Sequence, residues 1–476
     1  MNGINEAMLI DFYELTMANG YFNSNKRNQV VYFDLYFRSI PDRGGYALFA
    51  GLETIIDYID NLKFTEEDIA YLRSKNTFSE PFLTYLKEFQ FTGDLYAFKE
   101  GSVMFANEPI ITVKAPIIEA QILETFLLQT VNHQSLIATK ASRIKYAADG
   151  RLVLEMGARR AHGLSSSLHG ARASYIGGVD GTSNVLADQV YGVNAIGTMA
   201  HSWVQLFDSE YEAFKTYAEN YPNASTLLVD TYDTLHSGLP NAIKVIKEVL
   251  LPKKAKNYAI RIDSGDLTYL SKKARKMLDD AGLKDCKIVV SNALDERLIR
   301  GLLLQGAPID IFGVGERLIT AKSDPVFGSV YKLVAVEENQ KIVPKIKISD
   351  NVEKITTPHF KTVHRIYGEE GRAEADLITL DNEKINPDKP LTIFDPQNTW
   401  KTKTFTTYTL RNMHVPVYLN GKRVYQKPSI EEIKSYAQSE LNSLWEEMRR
   451  FDYPHKYYID LSKKLWKMKH DLIEKR

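Results

Sequence analysis

Residues able to do chemistry recur in this sequence just past short apolar runs. Gly157, Arg159 and Arg160 follow Leu152-Val153-Leu154-Glu155-Met156. Asp180, Thr182, Ser183 and Asn184 follow Tyr175-Ile176 and the pair Gly177-Gly178. Thr198 and His201 follow Ala195-Ile196, and Asp230, Thr231 and Asp233 follow Leu227-Leu228-Val229. Arg261, Asp263, Ser264, Gly265 and Asp266 follow Tyr258-Ala259-Ile260. Ser291-Asn292 follows Lys287-Ile288-Val289-Val290, and Gly313-Val314-Gly315-Glu316 follows Ile309-Asp310-Ile311-Phe312. Guanidinium groups and bare glycine N–H groups suit phosphate. Carboxylates beside hydroxyls suit a sugar and a Mg²⁺ ion carried in on phosphates. Taken singly, each has a plainer use: a lone histidine is a structural residue, Asp-Ser-Gly-Asp an N-cap and turn, Gly-x-Gly a loop. Taken together, at successive strand ends, they read as a phosphosugar site.

The elements that must position them follow from the pattern. Continuous apolar strands alternating with helix-length segments indicate a parallel sheet buried on both faces. Seven such units at spacings of about 20–30 residues suit an irregular, TIM-like β/α barrel, in which loops after the strands form the active face. Its expected span is 138–337. A helix at 8–22 (the segment 1–19 packing with the barrel) precedes an α+β domain at 20–137, where strands and helices do not strictly alternate. Residues 338–476 are expected to complete that α+β sandwich and to add a C-terminal helical appendage. Within 195–203, a short buried strand is expected to end in Gly197-Thr198 and to aim His201 at a ligand.

The bulk numbers exclude several classes. The 476 residues call for two or three domains. Sixty Lys+Arg balance sixty Asp+Glu, so no global field draws in nucleic acid or membrane. Cys286 is the only cysteine, so no intrachain disulfide forms and a reducing compartment is expected. No apolar run approaches the roughly 20 residues that cross a bilayer, and the first residues lack the cationic-then-apolar order of a signal peptide. A cytoplasmic location is the expectation. The ten histidines are scattered without a His-Glu-x-x-His pattern, so protein ligands of a catalytic metal are left unknown.

These strings, in this order, resemble nicotinate phosphoribosyltransferases: Asp11-Phe12-Tyr13-Glu14-Leu15-Thr16-Met17, Phe37-Arg38 with Gly44-Gly45, Glu155-Met156-Gly157-Ala158-Arg159-Arg160, Ser183-Asn184-Val185-Leu186-Ala187, Gly197-Thr198-Met199-Ala200-His201-Ser202, Arg261-Ile262-Asp263-Ser264-Gly265-Asp266, and Ser291-Asn292 with Gly313-Val314-Gly315. The resemblance covers about residues 8 to 350. It implies that nicotinate and 5-phosphoribosyl 1-pyrophosphate become nicotinate mononucleotide and pyrophosphate, with ATP hydrolysis coupled, as the entry step of NAD salvage. It makes His201 the histidine phosphorylated by ATP, and Asp230 and Asp263 the carboxylates facing ribose and magnesium-bound pyrophosphate. Arg261, Thr198, Ser183 and Tyr13 would hold nicotinate, with Tyr13 reaching in from the neighbouring subunit of a homodimer. Arg159, Ser291, Asn292, Gly313, Gly315 and Glu316 would hold 5-phosphoribosyl 1-pyrophosphate. Mg²⁺ and ATP are the implied cofactor and co-substrate.

Two positions bear on specificity. Nicotinamide-using relatives place an aspartate near Ser183; its absence here favours the acid. Glu316 departs from the small or hydroxyl residue usual after the second glycine, so it either points away or contacts metal. The rival readings are a nicotinamide or quinolinate phosphoribosyltransferase of the same fold, a barrel isomerase or aldolase, and a non-catalytic phosphosugar-binding protein. The isomerase or aldolase class needs a Schiff-base lysine or a general-base carboxylate at a strand end; Lys140 is the only lysine near such a position, and it precedes the first strand.

Overall fold

The computed structural model describes residues 4–475. The chain forms two compact units: one from the segments up to Leu136 and from Val326 onward, the other Ile137–Pro325. The long helix Glu124–Ala147 carries the chain from the first into the second.

In the first unit, seven antiparallel strands run in the order Lys341–Pro344, Ser329–Glu338, Val30–Phe37, Ile111–Pro116, Asp94–Phe98, His414–Leu419, Lys422–Arg423. Val30–Phe37 is apolar almost throughout because both its faces are buried. Its one charge, Asp34, is met by Lys361 Nζ at 2.7 Å and by the Thr112 hydroxyl at 2.7 Å. A second sheet, Thr409–Asn412, Lys361–Tyr367, Ala373–Leu380 and Tyr458–Leu461, is built wholly from the C-terminal third. That third therefore contributes strands to both sheets as well as the helices Ile430–Ser443 and Lys463–Glu474.

Three boundaries differ from the sequence expectation. Ser329–Glu338 pairs with Val30–Phe37, so the barrel unit stops at Pro325 instead of 337. The N-terminal helix is Phe12–Phe22, and it packs on Ile117–Ile122 inside the first unit. Tyr175-Ile176 is the end of the helix Leu164–Ile176, stopped by Gly177 and Gly178, whose φ of 103° an L side chain rarely adopts; the strand is the two-residue Gly181–Thr182.

The second unit holds six parallel strands in the order Gly181–Thr182, Leu152–Glu155, Ile311–Val314, Lys287–Val290, Tyr258–Ile262, Ser225–Leu228. They form a curled parallel half-barrel. The expected strand at Ala195-Ile196 is reduced to one parallel bridge from Ala195 to Thr182. Among the described residues no ladder joins that bridge to Ser225–Leu228, so the barrel is irregular and open there. Helices follow the strands, as in Leu267–Asp280 after Tyr258–Ile262 and Glu296–Leu304 after Lys287–Val290. Parallel strands place their carboxyl ends on one edge, which gathers the polar residues that follow them.

One buried ion cluster locks the second sheet of the first unit. Arg365 is fully buried and forks onto Asp376, with Nε–Oδ1 at 2.9 Å and Nη2–Oδ2 at 2.7 Å. Its remaining nitrogen reaches Glu440 at 3.0 Å, and the guanidinium lies over the rings of Phe105 and Tyr457. Replacing Arg365 by Met leaves buried Asp376 without its cation and leaves Glu440 with Arg411 alone. We expect a loss of about 3–5 kcal/mol, read as a lower urea midpoint; a loss under about 1 kcal/mol would show that the cluster relaxes to water.

Candidate active site

The strand ends of the second unit converge on Arg261. It lies in the strand Tyr258–Ile262, one residue from its end, and is only partly exposed. Its Nε donates to Ser291 Oγ at 2.9 Å, from the end of Lys287–Val290. Its Nη1 donates to Thr198 Oγ1 at 2.8 Å and to the Met199 carbonyl at 3.3 Å. Its Nη2 lies 3.3 Å from Asp263 Oδ1. A planar fork satisfies all of these from one side chain.

Asp263 is the second node. Its Oδ1 accepts from the Ser291 hydroxyl, and its backbone N–H donates to Asp230 Oδ2 at 2.9 Å. Ser264 Oγ donates to the same oxygen at 2.6 Å. Asp230 Oδ1 is buried and has no hydrogen-bond partner. His201 opens the short helix His201–Leu206, and the strand expected before it is reduced to the bridge at Ala195. Its Nδ1 lies 3.1 Å from Thr231 Oγ1, and its Nε2 lies 3.8 Å from Asp263 Oδ2. His201, Asp263, Asp230, Arg261, Thr198 and Ser291 thus form one connected polar chain.

The other expected residues stand apart from that chain. Ser183 is exposed, and its N–H donates to the Glu155 carbonyl at 2.8 Å. Arg159 is exposed in the turn Ala158–Arg160. Asn292 is exposed with φ 89°, in a left-handed pair with Ala293, a conformation stored where a loop is over-determined. Gly313 lies inside the strand Ile311–Val314, so the glycine turn begins only at Gly315. Glu316 is held by Lys322 Nζ at 2.6 Å; that ammonium keeps its carboxyl below the usual range and accounts for the charge that looked out of place. Tyr13 belongs to the first unit, where its ring is half-exposed; burial, then the nearby carboxylate of Glu124, pushes its hydroxyl's pKa up. Lys140, the one Schiff-base candidate, is buried against Glu296 and Ser323, at 2.9 and 2.6 Å.

Two participants had no role assigned from the sequence, Thr231 standing only as a strand-end candidate and Glu155 only within its strand. Thr231 is the partner of His201 Nδ1, and only the fold brings it there. Glu155, at the end of Leu152–Glu155, accepts from Thr182 Oγ1 at 2.6 Å and from the Gly157 N–H. Burial raises its carboxyl's pKa, while these two donors oppose the shift.

Comparison with known proteins agrees with this geometry. The chain matches the nicotinate phosphoribosyltransferase N-terminal domain over residues 8–132, the family's central model over 152–371 and its C-terminal domain over 360–469. It is 47% identical to nicotinate phosphoribosyltransferase of Bacillus subtilis (strain 168), over 96% of this chain and 93% of that one. It is 35% identical to the nicotinate phosphoribosyltransferase of Dictyostelium discoideum, over 99% and 89%. The structure superposes on that of human nicotinic acid phosphoribosyltransferase with a TM-score of 0.85 at 28% identity, covering 98% of this chain and all of that one. These matches make the chain an enzyme of the phosphoribosyl-transferring kind. The chain belongs to the nicotinate phosphoribosyltransferase family.

The strand end carrying Asp230 depends on a glycine. A methyl group at Gly238 would overlap the Val229 carbonyl, immediately before Asp230. We expect Gly238→Ala to cost about 1–3 kcal/mol by overpacking and to lower turnover beyond what the folded fraction explains. Thermal melting beside activity per folded molecule checks this; turnover that merely tracks the folded fraction would detach Asp230's placement from that contact.

Proposed function

We propose that this enzyme joins nicotinate to 5-phosphoribosyl 1-pyrophosphate, coupled to ATP hydrolysis through a phosphorylated His201. The observation that carries the reading is the connected chain from His201 through Asp263 and Ser291 to Arg261. It joins a nucleophile for phosphorus, a carboxylate pair and a carboxylate-binding fork in one site.

In the transfer step, the pyridine nitrogen attacks C1 of the ribose, and the bond from C1 to the pyrophosphate oxygen breaks with its electron pair leaving on pyrophosphate. Positive charge builds on the ribose, and the fixed carboxylates of Asp230 and Asp263 stabilise it. Arg261 pairs with the nicotinate carboxylate, with Thr198 beside it. Arg159, Asn292 and the turn at Gly315 receive phosphate. Ser291 acts by bracing Arg261 and Asp263, since its hydroxyl is engaged by both.

In the coupling step, Thr231 occupies Nδ1 of His201, so Nε2 attacks the γ-phosphorus of ATP and ADP leaves; water later releases the phosphate. Asp230 and Asp263 would hold Mg²⁺ brought in on the pyrophosphate, where the ion neutralises the leaving charge. The buried, unpartnered Asp230 Oδ1 fits that use. In a homodimer, Tyr13 of the partner subunit stacks on the ring. No described helix is long and apolar enough to cross a membrane, and a cytoplasmic setting suits the substrates.

Purified protein offered nicotinate, nicotinamide and quinolinate in parallel, with and without ATP, tests the reading. Nicotinate mononucleotide formation enhanced by ATP is expected; product from another base, or none, would overturn it. His201→Asn is expected to abolish ADP release while leaving slow, uncoupled transfer, and unchanged ATP hydrolysis would remove His201 from its role. Arg261→Lys is expected to raise the nicotinate KM about tenfold or more, because a point charge replaces a fork. An unchanged KM would move the carboxylate contact elsewhere.

A further inference from the structure

Glu155 is an acidic residue with almost no exposure, at the end of the strand Leu152–Glu155, which pairs with the edge strand Gly181–Thr182 of the site's sheet. Three of its atoms are committed in two directions. Oε1 accepts from the Gly157 N–H at the start of the turn that carries Arg159 and Arg160. Oε2 accepts from Thr182 Oγ1 at 2.6 Å, and the Glu155 carbonyl accepts from the Ser183 N–H at 2.8 Å. Thr182 Oγ1 in turn accepts from the Asn184 N–H at 3.1 Å. Asn184 caps the helix Val185–Tyr191 and donates to Ser167 Oγ at 3.0 Å. Gly157 fits this approach because it lacks a Cβ, which would lie 2.8 Å from Glu155 Oε1 and 2.7 Å from Ile319 Cβ.

We propose that Glu155 is a positioning residue, a buried clamp that holds the 157–160 turn and the 182–184 turn in one mutual register. It rests on the reading above, in which the arginine turn receives the phosphate of 5-phosphoribosyl 1-pyrophosphate. The carboxylate is spent on two protein donors and turned away from solvent, so it acts through the loops and not on the reacting atoms. Charge-assisted bonds to a backbone N–H and a hydroxyl fix geometry more firmly than neutral ones. Loops held this way keep a phosphate pocket preformed, and a misplacement of about 1 Å can cost about 100-fold.

The chemistry of the two donors sets the test. The Gly157 N–H can only donate, whereas the Thr182 hydroxyl can donate or accept. A glutamine can therefore keep both links, with its carbonyl on Gly157 and its NH₂ on Thr182. Leucine keeps neither, and Thr182→Val removes one. In the full-length enzyme, Glu155→Leu is expected to raise the KM for 5-phosphoribosyl 1-pyrophosphate by about 30-fold or more, and Thr182→Val by about tenfold. The nicotinate KM stays within about threefold in both, and Glu155→Gln stays within about threefold of wild type throughout. A parallel rise in both KM values, or no rise in Thr182→Val, would overturn the clamp. If Glu155→Leu does not fold, Thr182→Val and Glu155→Gln carry the comparison. Amide hydrogen exchange gives a readout that needs no turnover: Thr182→Val should speed exchange at 157–160 as well as at 182–184, and acceleration confined to its own loop overturns the proposal. Wild-type enzyme that made no nicotinate mononucleotide would defeat the functional reading alone, and the exchange experiment would still decide the clamp.

Discussion

The guanidinium of Arg261 is the constraint on which the candidate site depends. An open parallel half-barrel has no ladder to fix the distance between the segment after its one-residue bridge at Ala195 and the strands across from it. Arg261 supplies that link with side-chain bonds: Thr198 and Met199 on one side, Ser291 and Asp263 on the other. The same atoms that brace the opening are those a carboxylate ligand would meet. Preorganisation and recognition therefore fall on one residue, and a site assembled before substrate arrives has little reorganisation left to make.

Much of this was legible in the sequence, because buried parallel strands write themselves as continuous apolar runs and their polar sequels mark one edge. Five of the seven predicted strand positions hold strands, and the residues after those five include Asp230, Asp263, Arg261 and Ser291, while His201 follows the bridge at Ala195. The failures have physical reasons. Tyr175-Ile176 looked like a strand because two apolar residues before Gly-Gly fit either a strand end or a helix end, and length alone arbitrates. Ser329–Glu338 looked like a continuation of the barrel, since local pattern carries no information on which sheet a strand joins; its partner Val30–Phe37 is some 300 residues away. Thr231 and Glu155 have no role legible in the sequence for a related reason. Each acts through a partner distant in sequence, Thr231 on His201 and Glu155 on Thr182.

The charges at the strand ends are handled unlike the closed pairs buried elsewhere in both units, and the contrast separates structure from chemistry. In the first unit Asp376 and Arg365 are fully buried and paired bidentately, and Lys361 is equally enclosed against Asp34. Such pairs are satisfied and closed; breaking one leaves a bare charge in a poor dielectric. In the second unit Asp263 and His201 keep 26% and 39% of their side-chain surface exposed and sit 3.8 Å apart, too long for a hydrogen bond. Asp230 leaves one oxygen without any partner.

An unfinished pair of this kind costs stability unless something completes it, since buried polar groups are elsewhere satisfied. The sheet behind the site tolerates that cost because its own ends are over-determined by Arg261, Ser291 and Glu155, none of which needs a ligand to be satisfied. Ser291 and Glu155 thus brace through saturated contacts, whereas Asp230, Asp263 and His201 are each held by some contacts and left open at another. His201 is the clearest instance: Thr231 fixes one ring nitrogen, and the other is turned toward Asp263 across a gap. Nε2 makes no hydrogen bond there, so a new bond to it would not first have to break an old one. By the same logic Glu155, saturated on both oxygens, belongs among the bracing residues even though it lies in the same sheet as the reacting groups.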